Sequence, residues 1–327
     1  MNYREALGLN YSTLVILDSN HPGKAFSENP FGYSSGAMNK GSLVDCFLTH
    51  PETFEEEFII LANTNSLSEA ILKIVKAVYI AHPELDELDE MFVILQAKES
   101  EYGSKWSNEV LSKKLFNDEA KAYYKYLKDS EGKMAVSDEE YYKAKNVVDT
   151  LHTHDFTKGL FVISETRRVE FQFPVFWEED GIPCKGLLDM IIFDDLRKII
   201  QPLDLKIKTD SKFTFSKSFM QFKYYLQAVW YTRGLKKLYP DYTVRNFAFV
   251  VTNFDYPDPP LIYRCTNNLM HVGWYGGVIT ETNQVVKGAM ELLNDYRWYL
   301  STLKYQYPRK VYERQGIIEL DPFKKPL

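Results

Sequence analysis

The sequence predicts a mixed α/β (α+β) fold, a mixed central sheet flanked by helices, on three observations. Residues 169–175 alternate, with Val169, Phe171, Phe173 and Val175 apolar and Glu170, Gln172 and Pro174 between them. That is the period of a half-buried strand. Two turn signals, EEDGIP (178–183) and DDLRK (194–198), mark off two further strand-like runs. A helix-period segment at 216–238 then precedes another apolar run at 243–254. The order β-β-β-α-β, hairpins followed by a crossover helix, belongs to a mixed sheet.

Taken in order, residues 1–60 are mixed, with a Gly/Ser/Asn/Pro-rich part at 20–41 and a short helix over 41–48 that ends near Pro51. Residues 66–154 read as mainly helical. Leu67, Ile71, Ile74, Val75 and Val78 share one face of a helix over 67–82. A second helix covers 117–127. A third starts at Ser137, which forms a capping-box pattern with Glu140, and runs towards Leu151. Strands follow at 169–175, 184–193 and 198–208. After the helix over 216–238 come a strand at 243–254, a fifth at 259–265 and a long amphipathic helix over 280–303. No linker composition separates the helical part from the strands, so it reads as an elaboration of the same unit.

The totals exclude several classes. A formal net charge of -6 and a pI near 5.7 argue against a uniformly basic nucleic-acid coat, though not against a basic groove. Cys46, Cys184 and Cys265 are scattered with no CxxC spacing, which argues against a metal site built from cysteine alone. A reduced, cytoplasmic setting is expected. The opening residues lack a signal-peptide pattern, and no apolar run approaches the ~20 residues that span a bilayer, so no membrane is expected.

Chemistry concentrates in IIQPLDLKIKTD (199–210), where Asp204 and Lys206 interrupt an apolar strand. Residues two apart on a strand share a face, so the two project together. A buried carboxylate and ammonium are costly unless paired or bound to metal. Asp189 lies across a hairpin from them, and Glu170 on the first strand is a third carboxylate; the sequence leaves the register open. Clustered carboxylates need a cation, and oxygen ligands favour Mg²⁺ or Mn²⁺. A neighbouring lysine can orient water and offset charge at phosphorus, the logic of metal-dependent phosphodiester hydrolysis. A pair of solvent-exposed ion pairs at a strand end would carry the same residues. On the next helix Lys223, Gln227 and Tyr231 fall at i, i+4 and i+8, one stripe suited to a phosphate and a nucleotide, or to the polar edge of an ordinary amphipathic helix. His152 and His154, two apart near a helix end, read as solvated. Lysines 206, 208, 212, 217 and 223 gather around the same region, as a DNA track or as a solvated rim.

GLLD (186–189), LDLK (203–206) and QAVWY (227–231) resemble the G-x-x-D, D-x-K and Q-x-x-x-Y motifs of the PD-(D/E)XK exonucleases. Their order is similar to that in the RecB nuclease domain and in exodeoxyribonuclease VIII (RecE). Residues 34–60 and 169–191 resemble segments of the RecE-like phage recombination nucleases. The resemblance implies a restriction-endonuclease-like core in one nuclease domain over 1–327: a mainly helical part (1–155), a catalytic core (156–310) and a tail (311–327). It implies that Glu170, Asp189 and Asp204 hold Mg²⁺ with the carbonyl of Leu205, that Lys206 assists the attacking water, and that Gln227 and Tyr231, with Lys223, lie beside DNA. Glu165 competes with Glu170 for the first-strand role; the register of Glu170 favours it. Where the related enzymes carry a metal-binding histidine this chain has Asp45, either a replacement ligand or a structural residue.

The function so implied is Mg²⁺-dependent digestion of linear double-stranded DNA from an end, 5′ to 3′, leaving single strands for recombination. A ring-shaped homo-oligomer and a RecT-like single-strand annealing partner come with it. The alternatives are a PD-(D/E)XK endonuclease or a non-catalytic DNA-binding protein that keeps the fold. Asp204 and Lys206 are both expected to reach a hydrated cleft, so that replacing either leaves the chain folded.

Overall fold

The computed structural model describes residues 3, 5–19, 21–27, 36–64, 66–256, 258–279 and 284–318. The chain divides into two compact units, residues 1–41 with 147–327, and residues 42–146. The N-terminal segment is thereby grouped with the later, sheet-forming part.

Residues 42–146 are built mainly from helices. Glu69–Ala81, Glu90–Glu99, Asn108–Leu115 and Asp118–Asp129 each start at a capping side chain: Ser68, Asp89, Ser107 and Asn117. Such caps satisfy backbone N–H groups that have no partner within the helix. Ile74, Val78, Val93, Leu111, Leu115 and Tyr124 form the core between them. The capping box is present: Ser137 Oγ accepts from the Glu140 N–H at 3.1 Å, and Glu140 Oε2 accepts from the Ser137 N–H at 2.9 Å. A short parallel pair, Phe58–Ile60 with Met134–Val136, and the helices at 90–99 and 108–115 go beyond the sequence reading.

The sheet unit begins with helix α1 (Tyr11–Leu17). Strands β1 (Arg167–Glu179), β2 (Ile182–Asp194) and β3 (Ile199–Lys208) follow. Next come α2 (Phe215–Gln221), α3 (Tyr224–Leu238), β4 (Ala248–Asn253), β5 (Leu261–Arg264), α4 (Asn267–Tyr275) and α5 (Ala289–Thr302). The strands pair in the order β1-β2-β3-β4-β5. The first three form an antiparallel meander, β4 runs parallel to β3 after the helical crossover, and β5 returns antiparallel. The result is a mixed α/β fold with a mixed central sheet flanked by helices. Val175, Leu188, Ile191, Phe193, Ile200 and Phe249 belong to a core shared with Leu226, Val229 and Trp230 of α3 and Leu292 of α5.

Three boundaries differ from the sequence reading. The expected helix over 216–238 is two helices meeting at Lys223, whose backbone is left-handed (φ 54°). The expected strand over 243–254 is a two-residue piece, Thr243–Val244, paired with β3, followed by β4. The expected helix over 280–303 starts at Ala289, after an antiparallel pair, Gly277–Ile279 with Gln284–Val286; residues 280–283 lie outside the described residues. Residues 34–35 of the resembling segment and 319–327 of the tail also lie outside them. Among the described residues no helix is long and apolar enough to cross a membrane.

Candidate active site

The site is made by a change of partner along β3. From Ile199 to Leu203 this strand pairs antiparallel with β2, ending at the pair Met190↔Leu203. From Leu203 to Lys208 it pairs in parallel with β4 instead. Beyond Leu203, therefore, β2 and β3 part. One step further in the same register would set Asp189 against Asp204. There the Asp189 carboxylate takes the place of a ladder carbonyl: its Oδ2 accepts from the Leu205 N–H at 2.9 Å. The N–H and C=O of one strand residue point to the same edge. The Leu205 carbonyl thus faces the gap from the same side.

The neighbouring ladder is irregular at the same level. The β1–β2 pairs run on one register from Arg167↔Asp194 to Glu179↔Ile182, and the one omitted is Gln172 against Asp189. Gln172 has a left-handed backbone (φ 45°). For a residue with a Cβ that costs about 1–2 kcal/mol.

Asp204 faces α3, and its side chain is only 1% exposed. Its Oδ1 accepts from Gln227 Nε2 at 2.5 Å and its Oδ2 lies 2.6 Å from Lys206 Nζ. The Lys206 ammonium also sits 4.5 Å from the ring centroid of Tyr224, one turn before Gln227 on α3. Burial alone would lower the Lys206 pKa. The Asp204 and Asp189 charges outweigh it and hold the ammonium above its ordinary value. Lys206 is therefore a cation here, suited to donating hydrogen bonds and offsetting negative charge. The expectation of a hydrated cleft is corrected for Asp204, which is buried against Gln227 and Lys206, whereas Lys206 keeps 22% exposure.

Two sequence motifs interlock. A Cβ on Gly186 would lie 2.7 and 2.8 Å from ring atoms of Tyr231, so the glycine of GLLD makes room for the tyrosine of QAVWY. That ring is buried, and burial pushes its phenol well above the ordinary value. From the N-terminal segment, α1 reaches the same place. Tyr11 meets Tyr231 edge to face at 6.5 Å, and its hydroxyl donates to the Phe222 carbonyl at 3.1 Å. Burial raises the Tyr11 phenol, opposed by Lys206 and supported by Tyr224 and Asp204. At the other end of α1 the Asp18 carbonyl accepts from Lys223 Nζ at 2.8 Å, and the Asp18 carboxylate pairs with the same ammonium. Helix α1 thus grips both residues of the left-handed joint that precedes α3.

The sequence-predicted residues are therefore distributed as follows. Asp189, Asp204, Leu205, Lys206 and Gln227 come together. Gln227 and Tyr231 are buried, and Lys223 is tied to Asp18, so the three do not form one exposed stripe; the break at Lys223 removes it from the helix. Glu170 is ion-paired with Arg168, whose guanidinium stacks on Phe193, and stands two residues before the left-handed Gln172. Among the described residues no three His, Cys, Asp or Glu side chains gather in a metal-binding group. Glu165 is exposed. Asp45 lies on the helix Gly36–Thr49, within residues 42–146, where its carbonyl accepts from Thr49 Oγ1 at 2.8 Å. The ring of His152 packs on Phe161, while His154 accepts from the Phe156 N–H. Lys208 and Lys212 pair with Asp210 and Asp258, so among the described residues Lys217 alone of the five clustered lysines has no carboxylate partner. Tyr224, Tyr11 and Gln172 were not singled out from sequence. Tyr224 carried a signal, since it falls one turn before Gln227. Tyr11, 211 residues from the Phe222 carbonyl it binds, carried none.

No family model and no curated protein matches the chain. A similar solved structure, from Eubacterium rectale and provisionally described as an exonuclease, has 11% sequence identity, covers 73% of this chain and 81% of its own, and aligns with a TM-score of 0.31.

Proposed function

We propose that the protein is a metal-dependent deoxyribonuclease that digests linear double-stranded DNA from an end, as its resemblance to the RecE-like PD-(D/E)XK exonucleases implies. The observation that carries the reading is the convergence of Asp189, Asp204 and Lys206 where β3 leaves β2 for β4. An ordinary surface ion pair would not bury its carboxylate to 1% exposure beside a second one.

The donor set suits a hard cation. Asp189, Asp204 and the Leu205 carbonyl supply oxygen ligands without thiolate or imidazole, which favours Mg²⁺ or Mn²⁺. When bound, such an ion polarises a phosphodiester and lowers the pKa of a water. Lys206 directs its ammonium to the same gap, orients the attacking water and balances charge that grows at phosphorus. Gln227 fixes one oxygen of Asp204, and the Tyr224 ring lies against the Lys206 ammonium. Tyr231 and Gln227 act here as positioning residues behind the carboxylates rather than as DNA contacts. Glu170 stays with Arg168 and takes no part.

The resemblance extends the proposal to 5′ to 3′ digestion, a ring-shaped homo-oligomer threaded by duplex, a RecT-like annealing partner and a cytoplasmic place of action. The test compares linear with covalently closed duplex, with Mg²⁺ and with chelator. Release of nucleotides from the linear form alone, and only with Mg²⁺, is expected. Efficient cutting of closed circles points to an endonuclease, and no cleavage of either form contradicts the proposal.

A further inference from the structure

The face of the sheet opposite α3 carries a second polar feature, which the catalytic reading does not use. Alternation along β3 puts Ile200 and Asp204 towards α3 and Ile199, Gln201 and Leu203 on the other side. There a cavity of ≈ 280 Å³ opens, floored by Ile192, Leu203 and Ala248. Arginines from four separate segments line it: Arg167 of β1, Arg197 of the β2–β3 turn, Arg245 before β4 and Arg264 of β5.

Among the described residues one carboxylate, Asp194, joins them, and it is engaged by Arg197 at 3.4 Å. Arg167 is half-buried. Its Nη2 donates to the carbonyls of Gly159 and Leu160, while its Nη1 is buried with no hydrogen-bond partner. The side chains of Arg245 and Arg264 make no hydrogen bond or ion pair among the described residues. Gln201, on the cavity wall, donates to the Asn246 carbonyl at 3.1 Å and so fixes the backbone that carries Arg245. Four like charges drawn together around one counter-charge repel, and the chain as a whole carries -6. Arginine is suited to such a place when the missing partner is a planar or tetrahedral oxyanion, which it grips through two N–H groups at once. An apolar floor beside such a ring suits a ligand that has a flat apolar body as well as its anion. The volume is near the lower end of small-molecule sites, roughly 300 Å³.

We propose that this cavity binds a phosphate monoester carried on a flat heterocycle, the chemistry of a nucleoside monophosphate. The phosphate lies among Arg167, Arg245 and Arg264, and the base lies over Ile192 and Leu203. The site is separate from the Asp189–Asp204–Lys206 gap and stands whether or not that gap cleaves DNA.

Isothermal titration calorimetry on the full chain, with chelator present to keep cations out of the carboxylate pair, tests this. The ligands are deoxyadenosine monophosphate, deoxyadenosine and inorganic phosphate. One saturable site for the nucleotide is expected, with each fragment bound at least tenfold more weakly. The double variant Arg245→Ala/Arg264→Ala should weaken the nucleotide at least tenfold while melting like the parent, because both side chains are exposed. Absence of saturable nucleotide binding at millimolar concentration overturns the proposal. So does undiminished binding by the double variant. Inorganic phosphate binding as tightly as the nucleotide would remove the base from the site and overturn the proposed ligand class.

Discussion

The two halves of β3 differ in who their neighbours are and in what they can therefore carry. Ile199–Leu203 is hydrogen-bonded to β2 along one edge, and Ile200 and Leu203 are buried. Asp204–Lys208 is paired in a ladder with β4, and it carries Asp204, Lys206 and Lys208. Polar groups concentrate where one edge of the strand has lost its ladder. The open edge needs acceptors for its N–H groups, and the Asp189 carboxylate supplies one. The proposed chemistry sits where regular pairing stops, and the regular half holds those side chains in place.

Breaking the irregular half should have the largest effects. Asp204→Asn removes the counter-charge of Lys206 and the proposed cation ligand together. Cleavage should fall beyond detection, and stability should drop by about 3–5 kcal/mol, the cost of stranding one member of a buried pair. Urea denaturation read beside a digestion assay checks both. A buried carboxylate away from the gap provides the contrast. Glu179 is 4% exposed and held by Arg233 at 2.7 Å and Lys237 at 3.1 Å. Burial would raise its pKa, but those cations pull it below the ordinary value. Its stabilisation is therefore complete above the unfolded-state pKa of about 4.3 and fades as pH falls through and below it. Glu179→Gln should cost about 1.5–3 kcal/mol at neutral pH, converge with the parent in acid, and leave the cleavage rate unchanged. Melting curves across pH, with a digestion assay at pH 7.5, decide it.

Two smaller changes probe the supports of the gap. Gly186→Ala drives a methyl group into the Tyr231 ring, for a loss of about 1–3 kcal/mol. Adding Tyr231→Leu should return part of that stability, a non-additivity visible in a double-mutant cycle. Simple additivity would deny that the two motifs touch. Tyr11→Phe deletes the hydrogen bond to the Phe222 carbonyl, worth about 0.5–1.5 kcal/mol, and should lower the melting temperature slightly. An unchanged melting temperature would show that the Tyr11 hydrogen bond does not help secure the joint, leaving that task to the Asp18–Lys223 pair.

The meander was legible because Val169, Phe171, Phe173 and Val175 alternate and the EEDGIP and DDLRK turns stand between strands. Asp204 and Lys206 could be placed on one face because strand periodicity is two, whatever the neighbours do. Their neighbours were another matter. The exchange of β2 for β4 at Leu203 depends on register, which no local pattern encodes. Lys223 broke the expected helix without glycine, proline or asparagine to announce it, since its left-handed backbone is stabilised by contacts from α1. Glu170 was named a third ligand by the resemblance, and alternation preferred it to Glu165. The left-handed Gln172 between it and the gap, and its pairing with Arg168, are invisible in a linear pattern.

The most direct test of the central claim is single-turnover digestion of an end-labelled linear duplex by Lys206→Ala, with calorimetric Mg²⁺ binding on the same preparation. A folded variant should still take up Mg²⁺, because Asp189 and Asp204 remain, yet digest about 10²–10³ more slowly for want of a cation at the transition state. Digestion at the parent rate by that variant would mean that the Asp189–Asp204–Lys206 gap is a structural ion pair and not an active site.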